Sequence, residues 1–103
     1  MSSPPISQQT EERIALLFPL DWQRVLVRTI LSEQCGSNLP LMKSASEAAL
    51  ERLQFAALKL SEGNLDRLYR AVELAKTDWR DLLMAADFGE DFKAHTLWLP
   101  KRK

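Results

Sequence analysis

Apolar residues recur at intervals of three and four over most of this chain, and proline or glycine breaks the rhythm at only a few points. That spacing is the signature of helices with one buried side. The first element predicted is a short helix from Thr10 to Phe18. Thr10 would cap its free N–H groups, Glu11 and Glu12 suit its positive end, and Pro19 stops it. A second helix is expected from Asp21, as cap, to about Gln34. Trp22, Leu26 and Ile30 form its apolar side, with Val25 and Thr29 flanking and Arg24 and Arg28 opposite. Gly36, Ser37, Asn38 and Pro40 then interrupt the pattern.

The third helix carries the clearest start signal, because Ser44 and Glu47 match a capping box. It is predicted to run from Ala45 to Glu62 and to end on Gly63, which supplies the left-handed conformation of a C-cap. Ala49, Leu53, Ala56 and Leu60 make its main stripe, bordered by Leu50 and Ala57. Phe55 and Leu58 fall on the far side, among Glu47, Glu51 and Glu62. A helix with apolar residues on both sides either lies at the centre of a bundle or offers its second side to another molecule. Asn64 opens a fourth helix to about Lys76, with Leu65, Leu68, Val72 and Ala75 inward. The one-glycine junction makes the third and fourth helices neighbours. A fifth, capped by Thr77, places Trp79, Leu82, Leu83 and Ala86 on one face. Glu90 to Leu99, with Phe92, His95 and Trp98, is read as a last turn or two.

No segment alternates as a strand does, and valines number only three. The predicted fold is therefore all-α: a compact single-domain bundle of four main helices with short additional terminal helices. The domain spans 10–100, between a flexible 1–9 segment and a basic tail at 101–103. LERLQFA (50–56) and LDRLYRA (65–71) resemble each other, but two amphipathic helices with like leucine spacing explain this better than a repeat.

Composition narrows the function classes. With 103 residues, 46% hydrophobic and 27% charged, the chain suits one folded core. Fourteen Lys and Arg balance fourteen Asp and Glu, so the excess of cations that a phosphate-binding surface needs must come from a local patch. One cysteine, Cys35, precludes an internal disulfide and a paired-cysteine metal site. No apolar run approaches the roughly 18 residues of a membrane span, and no signal segment opens the chain, which makes the cytoplasm the expected compartment.

Candidates for chemistry are thin. Gly36, Gly63 and Gly89 stand apart, so no phosphate loop exists. His95 is the single histidine; with Asp91 four residues away it makes half of an orienting pair, and it reads better as a structural side chain than as a base. The acidic residues Asp78, Asp81, Asp87, Glu90 and Asp91 match no calcium loop. No cofactor or metal is expected. The favoured function is a helical protein–protein interaction or accessory domain, with self-association as one form of it. Its contact surface would be Phe55 and Leu58, extended by Leu74 or Met84. The alternatives are a nucleic-acid-associated regulator that uses Arg24, Arg28 and the tail Lys101, Arg102 and Lys103, and, less favoured, a small enzyme built on His95.

Overall fold

The computed structural model describes residues 6–35, 47–88 and 98–100. Among them are five helices and no strand: α1 (Gln8–Leu17), α2 (Asp21–Gln34), α3 (Glu47–Ser61), α4 (Leu65–Thr77) and α5 (Trp79–Ala85). The all-α class is as expected. The division into four main helices with short additional terminal helices is only roughly matched, since there are five described helices and α5 has only 7 residues. The capping box at Ser44, the interruption after Cys35 and most of the expected last helix lie outside the described residues. Residues 98–100 carry no helix.

The local start signals are shifted by small distances. Residues 6–9, expected to be a flexible lead-in, belong to the fold: Ile6 is buried in the core. Ser7, rather than Thr10, caps α1, its Oγ accepting from the Thr10 N–H at 3.1 Å. The same hydroxyl donates to Glu51 Oε2 at 2.6 Å and ties α1 to α3. Thr10 is fully buried inside the helix instead. Asp78 replaces Thr77 as cap of α5, accepting from the Arg80 N–H at 3.0 Å. Asp is the stronger cap, and Thr77 stays in α4, its hydroxyl donating to the Glu73 carbonyl at 3.1 Å. Asp21 is the first residue of α2, not its cap; Leu20 precedes it without a side-chain hydrogen bond.

The α3–α4 corner forms as the Gly63 signal requires. Gly63 has φ 80° and Glu62 before it φ 51°, so two successive residues turn left-handed. Ser61 Oγ donates to the Leu58 carbonyl at 2.6 Å and accepts from the Gly63 N–H at 3.2 Å. Asn64 Oδ1 caps α4 through the Arg67 N–H at 3.1 Å. These bonds satisfy groups that each helix end leaves free.

The centre of the molecule is α3. Leu53, Gln54, Phe55, Ala56, Ala57 and Leu58 are all buried, and six consecutive residues at 100° apart cover the whole circumference of a helix. Its second apolar side is therefore core. α4 adds Leu68, Ala71, Val72 and Ala75, the stripe predicted for it save that Leu65 is half-buried. α2 enters turned by about one residue step from expectation: Val27, Ile30 and Leu31 are buried, whereas Trp22 and Val25 face out. Three branched side chains at 27, 30 and 31 pack more densely against a core than one large indole. Arg28, at the border of that stripe, reaches the Glu11 carboxylate on α1 at 2.9 Å.

Candidate functional site

Phe55 and Leu58 do not form the expected exposed patch. Both are fully buried. The Arg13 guanidinium lies 4.4 Å from the centre of the Phe55 ring on one side, and Trp98 packs at 6.0 Å between ring centres. Arg13 Nε donates to the Trp98 carbonyl at 3.1 Å, so helix α1 and the 98–100 segment are bound together over Phe55. Trp98 also meets Phe88 edge-on at 6.3 Å. Of the two extending residues, Leu74 is half-buried. Met84 alone is openly exposed, at 65%.

The other residues singled out by sequence are engaged or lie elsewhere. Arg24 donates to the Pro19 carbonyl at 3.1 Å and pairs with Asp21. Arg28 pairs with Glu11. The two arginines thus neutralise carboxylates rather than converge on an open face. His95, Glu90, Asp91 and the basic tail lie outside the described residues. Asp78 is occupied as a cap, and Arg80, by side-chain and backbone hydrogen bonds, holds its carboxyl below the usual carboxylate range. Among the described residues, no three His, Cys, Asp or Glu side chains are placed to share a metal ion. Cys35 is buried; desolvation pushes its thiol up to about 12, and its Sγ sits 3.8 Å from the Leu53 carbonyl. A thiol in that setting is a core side chain rather than a nucleophile.

Two surfaces that sequence reasoning missed stand out instead. The first is the outer face of α2 and the corner before it. Leu20 is 53% exposed, Trp22 59% and Val25 55%. Trp22, Val25 and the exposed Thr29 succeed each other at helical spacing on one side. Single exposed apolar residues need no explanation, but three within six positions concentrate apolar surface at the start of α2, and grouped exposed apolar residues often mark interaction sites. Asp21, whose side chain is 92% exposed, lies between Leu20 and Trp22 in sequence. In sequence this face was legible as an apolar stripe and was assigned to the core.

The second is a groove between the end of α3 and α4. Leu60, Ala71 and Leu74 line it, with Arg67 and Arg70. Arg67 and Arg70 each precede one of the α4 apolar lining residues, Ala71 and Leu74, by four positions, so α4 presents a mixed apolar and cationic flank beside its buried stripe. Arg67 pairs with Glu62. Arg70 is exposed and makes no hydrogen bond or ion pair among the described residues. In this it differs from the other described lysines and arginines. The cavity measures about 230 Å³, below the roughly 300–1,000 Å³ usual for small-molecule sites. It has room for a large side chain.

Among the described residues the resulting arrangement is a helical core that carries an exposed apolar corner at the start of α2 and a cation-edged groove between α3 and α4. No protein-family model, curated protein or solved structure matches this chain.

Proposed function

We propose that this chain is a helical protein–protein interaction domain that binds through the outer face of α2. The observation that carries this reading is the exposure of Leu20, Trp22 and Val25 within six positions of one another, whereas the other exposed large apolar side chains among the described residues, Tyr69, Met84 and Leu99, stand far apart in sequence. Tryptophan is the residue type most enriched at interface hot spots. It brings a large apolar area at the cost of ordering only two side-chain torsions. Keeping such a side chain in water forgoes burial that the fold does not supply but a partner surface would.

Interaction through Phe55 and Leu58 is set aside, since those side chains are spent inside the molecule. A nucleic-acid role through Arg24 and Arg28 draws less support from the geometry, because both guanidiniums already pair with carboxylates.

The test uses three proteins: the natural chain, the double variant Trp22→Ala/Val25→Ser, and Met84→Ser as a control at another exposed apolar position. Each is assayed by affinity capture from native cells with mass spectrometry, and by sedimentation for self-association. A bound species retained by the natural chain and by Met84→Ser, and lost by the double variant, is the expected result. If no species in either assay depends on Trp22 and Val25, the reading is wrong.

A further inference from the structure

The chain carries an apolar corner and a groove, both open, and their chemistry is complementary. We propose that the α3–α4 groove receives the Leu20–Trp22 corner of a second copy, so that the chain associates head to tail. This rests on the reading of the α2 face as the binding element and specifies what that face binds.

The groove describes its occupant. Leu60, Ala71 and Leu74 demand an apolar side chain, and a cavity of about 230 Å³ holds one large residue rather than a whole small molecule. The cations beside them demand a carboxylate. Arg70 is the described cation with no partner, and a guanidinium at the margin of an apolar groove gains most from a planar anion that bonds it through two N–H groups. The occupant is therefore an exposed apolar residue with a carboxylate next to it. Leu20, Asp21 and Trp22 have that order, at the beginning of α2 and largely in solvent.

Charge favours the contact at two levels. The chain is neutral overall, so two copies approach without net repulsion. Locally an acidic corner meets a basic groove, which orients the encounter. Asp21 and Arg67 already have intramolecular partners, Arg24 and Glu62. Both pairs are at the surface, where ion pairs contribute little, so an exchange of partners costs little. The corner and the groove are different surfaces, which makes the contact heterologous: a pair keeps one unused groove on one copy and one unused corner on the other.

Sedimentation across the micromolar to millimolar range tests this on the full chain. The natural protein is expected to gain mass with concentration. Trp22→Ala and Arg70→Glu, both at exposed positions, each weaken association by at least about tenfold while far-UV circular dichroism stays unchanged. Mixed together they form a one-to-one dimer that grows no further, because Trp22→Ala retains an intact groove and Arg70→Glu an intact corner. Asp21→Lys alone also weakens association, and combining it with Arg70→Glu in one chain restores it. A natural chain that stays monomeric, single variants that associate normally, or variants that fail to complement each other would each overturn the proposal. A monomeric natural chain that still captures a cellular protein through Trp22 removes the second copy as occupant and leaves the interaction reading standing. Loss of both results removes both.

Discussion

Gln54 sits midway along α3, fully removed from solvent, and neither atom of its amide has a hydrogen-bond partner. A buried amide without partners loses its hydration and recovers nothing, a cost of roughly 1–3 kcal/mol. Gln54→Met keeps the length and flexibility of the side chain and removes both polar atoms. It is expected to stabilise the fold by about 1 kcal/mol, read as a higher urea midpoint with an unchanged denaturant slope. Asp78 offers a contrasting case, a polar group at the surface whose charge is used. Its folded-state carboxyl titrates below the ordinary value of 3.8, first because of the Arg80 side chain and then because of the Arg80 backbone N–H. The lowered value means that the Asp78 contribution is complete above the ordinary carboxylate range and is lost as pH falls through the lower folded-state value. Asp78→Asn keeps a capping side chain but no longer titrates. Its stability should therefore fall less steeply than that of the natural protein on acidification below about pH 4, as measured by denaturation at a series of pH values.

The elements are held at their ends as well as along their faces. Lys59 Nζ donates to the Ala86 carbonyl at 2.9 Å and stands 4.8 Å from the Phe88 ring. Arg52 Nε donates to the Phe88 carbonyl at 3.1 Å. Two cations from α3 thus close the C-terminal end of α5, where helix carbonyls lack partners and the dipole favours positive charge. Lys59→Met should let α5 open separately from the rest, weakening hydrogen-exchange protection of the amides at 82–88 by about 1–2 kcal/mol while α4 keeps its protection. These bonds illustrate what sequence could not disclose, because they join residues 27 and 36 positions apart. Periodicity located all five described helices and the α3–α4 corner, since spacing, caps and glycine act within a few residues. It misjudged the rotation of α2 because Trp22, Val25, Leu26, Val27, Ile30 and Leu31 supply two overlapping stripes. Only the neighbouring helices decide which of those stripes turns inward.

For the molecule as a whole, the division between core and contact surface is measurable. Phe55→Ala should cost about 3–5 kcal/mol, the loss of a closely packed aromatic ring and the space it leaves. Trp22→Ala should change stability by no more than about 0.5–1 kcal/mol despite removing the larger side chain. Chemical denaturation of the two variants compares these values directly. The sequence already held both possibilities for the second side of α3, and the structure resolves them in favour of burial. The groove was less accessible to sequence reasoning. Leu60 reads as core and nothing in the spacing singles out Arg67 or Arg70, which line one groove with it only once α3 and α4 are packed together.

The buried Cys35 makes the chain its own clock. Desolvation holds the Cys35 thiol in its neutral, unreactive form at ordinary pH, and the sulfur is buried in the core. Labelling by a thiol reagent must therefore wait for the fold to open. In excess reagent, modification of this one atom should proceed at the opening rate of the bundle and become fast in denaturant. Each variant described above then carries a built-in record of how often its core comes apart.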